Sequence, residues 1–364
     1  MTAEPGLDLA RSHDHDGRAA VYAGPRALRL EPSVPEQPAP GHVRIDVAYT
    51  GICGTDLHIY HGDMDARVRP PAIIGHEMSG IIAELGDDTE GWRAGDPVTV
   101  MPLDWCSQCP ACEAGHTHLC HRLNFLGIDS AGAMQASWTV PARTLIRLPD
   151  HLPLHQAALV EPVAVAVHDV RRARLQPAEK VLVVGGGPIG LLIAAVARRE
   201  GADLVMLETD PYRRALAAQL GFTGYDPASP QTTPALDEWA RGAGAAVAFE
   251  VSGAAAGVKA AVDALAVRGR LIQVAIHPVP REVSLHRFFW RELTLVGARL
   301  YQRRDFDAAA ALIAEGQIPV EALITCVEPL SRAAEAFAAL ETGAGVMKIL
   351  IDCRPASRSE FRAH

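Results

Sequence analysis

The sequence predicts an α/β protein built from a doubly wound parallel sheet that binds a dinucleotide and a second, β-rich part that carries metal ligands. Three observations predict this. A strand–glycine turn–helix–strand–acid unit occupies Val181–Asp210. Short apolar runs alternate with helical stretches beyond it, bringing the strand count of that region to six. Upstream, four cysteines fall within one short, strand-flanked stretch, Cys106–Cys120.

The dinucleotide unit opens with Val181-Leu182-Val183-Val184, the β-branched apolar run of a buried parallel strand. Gly185-Gly186-Gly187-Pro188-Ile189-Gly190 then fits G-x-G-x-x-G. Gly185 permits the tight turn, Gly187 lets the backbone approach a pyrophosphate, and Gly190 lets helix pack close on strand. The helix Leu191–Arg199 offers its N-terminal N–H groups to phosphate. A second run, Leu204–Leu207, ends at Glu208, where a carboxylate accepts hydrogen bonds from ribose hydroxyls and repels the 2′-phosphate of NADP. NAD is therefore the expected cofactor. The competing reading, a membrane helix over Val181–Ala197, is short for a span and is interrupted by glycines and a proline.

The chain of 364 residues suffices for two domains, and 49% hydrophobic residues mark a globular protein. Net charge is −9, and no basic stripe interleaved with aromatics appears, so nucleic acid is not an expected partner. Met1–Arg18 is polar and lacks the apolar core of a signal peptide, so a cytoplasmic protein without membrane contact is expected. His13-Asp14-His15-Asp16 reads as part of a loose tail that binds metal only adventitiously. Seven cysteines, an odd count in such a chain, point to metal or catalysis rather than disulfides.

In order along the chain, Val43–Tyr49 alternates as a strand after a proline-rich connection. Gly51–Tyr60 follows, concentrating Cys53, Thr55, Asp56 and His58. Gly75-His76-Glu77 is a second cluster, and Glu161 before Pro162 is a third candidate. Cys53, His76, Glu77 and Glu161 are the thiol, imidazole and carboxylates that zinc takes, and a catalytic zinc keeps one position open. Singly, each is as well read as a core thiol, a satisfied histidine or a loop carboxylate. A hydride-transfer enzyme acting on an alcohol, however, needs a group that acidifies the hydroxyl, and a Lewis-acid metal does so. Cys106, Cys109, Cys112 and Cys120 are spaced C-x2-C-x2-C-x7-C, which suits a closed tetrahedral structural zinc. An iron–sulfur cluster and a nucleic-acid zinc finger compete, disfavoured by the last spacing and the acidic balance.

Helices are expected at Leu154–Val160 and Val163–Arg172, and further strands at Phe222–Tyr225, Ala246–Val251, Arg270–Ala275 and Leu293–Val296, with a helix at Ala255–Ala266. The last segment predicts helices near Asp305–Glu315 and Ser331–Leu340 and a strand at Lys348–Asp352.

Taken together, these motifs resemble the zinc-dependent medium-chain dehydrogenase/reductase family, in its polyol branch of sorbitol, 2,3-butanediol and threonine dehydrogenases. The resemblance covers roughly residues 20–353. It implies a GroES-like β-rich catalytic domain, residues 1–160 completed by 300–364, and a Rossmann nucleotide-binding domain, 161–299, with the active site between them. It implies that Cys53, His76 and Glu77 hold a catalytic zinc, with Glu161 binding it directly or through water, and that Asp56 orients the imidazole. Thr55 and His58 match its proton relay, and Cys106, Cys109, Cys112 and Cys120 its structural zinc. Gly185, Gly187, Pro188, Ile189, Gly190 and Glu208 match its NAD site, with Arg213 near the adenosine ribose. Tyr60 is equally a pocket wall or a packing residue. One departure stands out: Gly132-Ala133-Met134-Gln135-Ala136-Ser137-Trp138 replaces the family's more usual Gly-Gly-Phe-Ala-Glu-Tyr-like run.

The function so implied is hydride transfer between NAD and a secondary alcohol: a polyol, diol, cyclitol, aminopolyol or hydroxy amino acid. Two zinc ions per chain and a homodimer or homotetramer are implied with it. A ketone reductase in a biosynthetic pathway and a non-catalytic NAD-binding relative are the alternatives.

Overall fold

The computed structural model describes residues 17–343 and 345–355, so His13–Asp16 lies outside the described residues. The N-terminal part contains β1 (Arg18–Gly24), β2 (Ala27–Pro32), β3 (His42–Gly51), α1 (Gly54–His61), β4 (Ala72–Ile73), β5 (Glu77–Leu85), β6 (Pro97–Val100) and β7 (Leu103–Asp104). It continues through α2 (Pro110–Glu113), β8 (Asn124–Phe125), β9 (Ser137–Pro141), β10 (Leu145–Arg147) and α3 (Leu154–Ala157). The chain then enters α4 (Val160–Ala173), β11 (Lys180–Val184), α5 (Pro188–Arg199), β12 (Asp203–Leu207), α6 (Pro211–Gln219), β13 (Thr223–Tyr225) and α7 (Thr232–Trp239). There follow β14 (Ala245–Glu250), α8 (Ala255–Ala264), β15 (Leu265–Gln273), α9 (Leu285–Arg291), β16 (Thr294–Gly297) and α10 (Arg303–Ala314). The chain closes with β17 (Ile324–Pro329), α11 (Ala333–Thr342) and β18 (Lys348–Asp352).

The expected doubly wound sheet is present. Its order is β13-β12-β11-β14-β15-β16, all parallel, so the strand order reverses between β11 and β14. Ligands bind such sheets at the carboxyl ends beside that reversal, where the glycine turn after β11 lies. Val181, Leu182 and Val183 are fully buried, as strands covered on both faces must be.

The mostly antiparallel sheet runs β10-β6-β5-β3-β18-β17, with β9 also paired to β3. Its centre, β3, alternates buried and half-buried positions, which is the period read in the sequence. The chain's last strand returns to it: β18 pairs antiparallel with β3, setting Leu350 opposite Gly51. Gly51 in turn faces Glu77 on β5. This register carries residues from three distant segments, around positions 53, 77 and 348, to one end of the sheet.

Most predicted elements appear within a few residues. The strand expected at Arg270–Ala275 begins at Leu265, and the helix before it ends at Ala264. There Leu265 already pairs with Ala245, while Arg268, in the left-handed region, marks the irregularity that sequence alternation does not report. The helix expected from Asp305 starts at Arg303, because the Asp305 carboxylate caps it by accepting the Gln302 N–H at 2.7 Å. Asp305 is also clasped by Arg171 at 2.8 Å and His168 at 3.0 Å, tying α10 to α4. Burial alone would raise its pKa, but these donors outweigh it and hold it at about 2.

Candidate active site

Cys53 stands just before α1 and caps it: its backbone N–H donates to Asp56 Oδ2 at 2.9 Å. His76 follows Gly75, whose φ of 96° only glycine takes readily. A side chain there would also meet Met134 Cγ at 2.8 Å. Gly127 and Gly132 press onto the Gly75 carbonyl so closely that a Cβ at either would overlap it. The unusual run Gly132–Trp138 therefore has a structural job: its glycine and Met134 seat the turn that presents His76.

In that seat His76 Nε2 lies 3.4 Å from Cys53 Sγ, and its Nδ1 lies 3.8 Å from Asp56 Oδ1. The ring edge rests against Phe125, with centroids 5.2 Å apart. His76 Nδ1 and Asp56 Oδ1 are both buried without a hydrogen bond. One donor atom from each of Cys53, Asp56 and His76 falls within 4.8 Å of the others. A thiol meeting an imidazole nitrogen, with the ring's other nitrogen turned to the Asp56 carboxylate, fits a metal held by the thiol and imidazole with Asp56 behind to fix the ring's orientation.

The predicted carboxylates sit beside this pair. Glu77 is buried, but its Oε2 is held by Lys348 Nζ at 2.6 Å, in an ion pair that the ammonium shares with the Ile52 carbonyl. Gly51 makes room for it, since a Cβ there would overlap Glu77 Oε2. Glu161, in the first turn of α4, is buried. Burial, with the Glu77 charge adding to it against the opposing effect of His76, pushes its pKa up to about 7. Tyr301 stands next to it, fully buried, without a well-formed hydrogen bond on its hydroxyl.

Lys348 and Tyr301 went unread in the sequence. The one signal for Lys348 was a charged residue opening a strand with an apolar centre, Ile349-Leu350-Ile351. A lysine buried there needs a partner, and Glu77 supplies it.

Thr55 and His58 share a face of α1 one turn apart. Thr55 is half-buried; His58 is exposed, 3.2 Å from Asp63. The structure does not bring His58 into the buried cluster. Tyr60 is a packing residue, 7% exposed and tilted against Phe337 at 5.1 Å.

The second cluster is closed. Cys106, Cys109, Cys112 and Cys120 have sulfur atoms all within 4.8 Å of one another. Cys109 Sγ lies 3.5 Å from Cys112 Sγ and 3.9 Å from Cys120 Sγ. A tetrahedral zinc with Zn–S of about 2.3 Å sets its sulfurs about 3.8 Å apart, so the cage fits. Backbone N–H groups of Cys106 and Arg122 point at Cys120 Sγ, and that of His121 at Cys109 Sγ, at 3.3–3.4 Å, the support that metal-bound thiolates require.

At the dinucleotide turn Gly185 takes φ 106°, and a Cβ on Gly190 would overlap the Gly185 carbonyl oxygen. Gly187 caps α5 and Pro188 opens it. Ile189 follows in its first turn and is half-buried. Glu208 closes over the turn. Its carboxylate accepts the Gly186 N–H at 2.6 Å and the Asp210 N–H at 2.8 Å. Arg213, in α6, brings Nη1 to 3.8 Å from where a Gly187 side chain would begin.

Two family models match the chain: the alcohol dehydrogenase GroES-like domain over residues 39–150, and the zinc-binding dehydrogenase over 188–315. A 2-dehydro-3-deoxy-L-galactonate 5-dehydrogenase of Pseudoalteromonas atlantica is 48% identical, over 92% of this chain and 98% of that protein. The chain belongs to the zinc-dependent medium-chain dehydrogenase/reductase family, in its polyol and sugar-acid branch. An L-galactonate-5-dehydrogenase of Escherichia coli is 33% identical over 83% of this chain and 89% of that protein. The crystal structure of 2R,3R-butanediol dehydrogenase from Bacillus subtilis superposes with a TM-score of 0.85 at 32% identity, covering 93% of this chain and 99% of that one. The chain is thus an oxidoreductase of secondary alcohols. Its thiol–imidazole cluster and its four-cysteine cage are compatible with two zinc sites.

Proposed function

We propose that this dehydrogenase oxidises, reversibly, a secondary hydroxyl of a polyhydroxylated acid with NAD. The observation that carries the reading is the part-buried Cys53–His76 pair with Asp56 behind it, in a chain that also holds a dinucleotide turn. The sugar-acid dehydrogenases among its relatives support the substrate class; plain polyols are the second reading, supported by the butanediol dehydrogenase likeness.

Zinc held by Cys53 and His76, with Glu77 or Glu161 completing the set directly or through water, would supply Lewis acidity toward the alcohol oxygen. The chain's own groups do the rest. Thr55 takes the hydroxyl proton as its own hydroxyl proton moves on toward His58, which is exposed on the same face of α1 and releases a proton to solvent. Asp56 fixes the His76 ring. Lys348 holds Glu77 in place beside Cys53 and His76. Gly185, Gly187, Pro188, Ile189 and Gly190 present the backbone to the pyrophosphate, Arg213 stands by the adenosine end, and Glu208 takes the ribose hydroxyls. The nicotinamide carries the hydride.

A screen of zinc-replete protein tests this, using aldonates, alditols, vicinal diols, cyclitols and threonine with NAD and NADP in parallel. Aldonates with NAD are expected to give the highest kcat/KM; silence with every substrate would refute the reading. Glu208→Ala is expected to raise the KM for NAD about tenfold, the value of one lost charge-assisted hydrogen bond. Equal use of NADP by the unmutated enzyme would sink the Glu208 assignment.

A homodimer or homotetramer fits the surface. Strand β16 is an open sheet edge with Leu295 exposed, and α9 beside it exposes Phe289 and Trp290. A twofold axis at that edge would continue the sheet into a second copy and cover these side chains. Sedimentation is expected to give a dimer or tetramer that the pair Leu295→Lys and Trp290→Glu dissociates; a monomeric parent chain would refute it.

The division into 1–160 with 300–364 and 161–299 is supported by sheet membership, since every strand of the parallel sheet lies within Lys180–Gly297. A cytoplasmic setting is supported by the seven unpaired cysteines. No helix among the described residues is long and apolar enough to cross a membrane.

A further inference from the structure

A sugar acid differs from a polyol by one charge. Its carboxylate sits at one end of the carbon chain, and a 5-hydroxyl lies near the other. An enzyme that prefers the acid must meet that carboxylate with a cation when the hydroxyl is at the metal, because a desolvated, unpaired carboxylate is costly.

One grouping near the metal cluster carries uncompensated positive charge. Arg67, in the turn after α1, forms a two-pronged pair with Asp129, with Nε and Nη2 each 2.7 Å from a carboxylate oxygen. Asp129 is anchored by accepting the Phe125 N–H at 2.9 Å, and Phe125 is the ring against which His76 rests. Arg299 lies near this pair. It lies two residues beyond the carboxyl end of β16 and two before Tyr301, the buried neighbour of Glu161. Asp129 and Arg67 are its charged neighbours. Asp129 is already spent on Arg67. Arg299 makes no ion pair among the described residues; its hydrogen bond is a long one, from Nη1 to the His118 carbonyl at 3.3 Å. Its side chain is accessible.

Two guanidinium groups therefore stand near one carboxylate, and only Arg67 is paired with it. The three groups sum to one positive charge; Asp129 is tied through Phe125 to His76, and Arg299 lies two residues from Tyr301, the neighbour of Glu161. A second carboxylate would neutralise the set and give Arg299 the planar two-oxygen partner that a guanidinium favours. We propose that Arg299, with Arg67 and Asp129 beside it, forms the site that binds the substrate's carboxylate and selects sugar acids over uncharged polyols. The inference rests on the sugar-acid reading above. Arg299 determines specificity in it and takes no part in the proton or hydride steps.

The test compares kcat/KM for L-galactonate with that for xylitol, in the zinc-loaded parent enzyme and in Arg299→Gln. The acid-over-polyol ratio is expected to fall about tenfold to a hundredfold, the value of one charge-assisted pair. Most of the fall should appear in the KM for the acid. Arg299→Lys, which keeps the charge and loses the fork, should recover part of it. Raising ionic strength should raise the KM for the acid in the parent and much less in Arg299→Gln, since an accessible charge pair is screened. A parent enzyme that prefers L-galactonate while Arg299→Gln keeps its ratio overturns the Arg299 assignment and leaves the substrate class standing. Equal losses for acid and polyol overturn it too, because they mark a structural role. A parent enzyme that oxidises xylitol and no L-galactonate overturns both.

Discussion

Cys53→Ala is expected to lose at least about a thousandfold in kcat, roughly 4 kcal/mol of transition-state stabilisation, while its affinity for NADH stays within about twofold of the parent. Cys53 supplies the thiol 3.4 Å from His76 Nε2. Its backbone N–H still donates to Asp56 in the variant, so α1 keeps its cap. The dinucleotide turn lies in a different sheet and loses nothing. Metal analysis should fall from two zinc ions per chain to one, because the four-cysteine cage is untouched. Turnover assays, NADH fluorescence titration and metal content check this together. A variant that loses NADH binding along with turnover would make Cys53 a structural residue; one that still turns over would remove it from the metal site.

The parts of this site differ in how far they could be read from the sequence, and the reason is contact distance. The dinucleotide unit is contiguous: strand, turn, helix and acid follow one another, so each residue's job shows in its neighbours. The four-cysteine cage is equally local. Cys53, His76 and Glu161 needed the chemistry of zinc and a family resemblance to be grouped, because no spacing links them. Lys348 was invisible for the same reason in a stronger form. Its partner Glu77 is 271 residues away, and only the β18–β3–β5 register brings them together. That pairing adds to what the sequence implied, since Glu77 Oε2 is held by the Lys348 ammonium. Tyr301 and Arg299 lie on the segment after β16, which carries no motif. The Gly132–Trp138 run was legible only as a departure. Its role in seating His76 depends on Gly132 touching the Gly75 carbonyl, a contact across two loops.

Gly190→Ala is expected to do the converse of Cys53→Ala: both metals stay and NADH binding weakens. The added Cβ would overlap the Gly185 carbonyl oxygen, which is backbone and cannot swing aside as a flexible side chain would. Relief requires either α5 to move off β11 or the Gly185 turn to open, and both displace the N–H groups that face the pyrophosphate. Glu208 adds to the stiffness, since its carboxylate already grips the Gly186 N–H at 2.6 Å. Overpacking of this kind costs about 1–3 kcal/mol, so NADH affinity should fall about tenfold to a hundredfold. Part of the same strain should appear as a lower melting temperature. The Cys53–His76 pair and the cysteine cage belong to the other sheet and its loops, and zinc content should remain at two per chain. NADH titration with metal analysis on the same preparation checks the result. Parent-like NADH affinity in Gly190→Ala would mean that the turn can yield without loss, and that the close helix–strand approach is not what shapes the phosphate site. Paired with Cys53→Ala, the variant separates the two demands on this enzyme, an acidified alcohol and a seated nicotinamide, by removing each in turn.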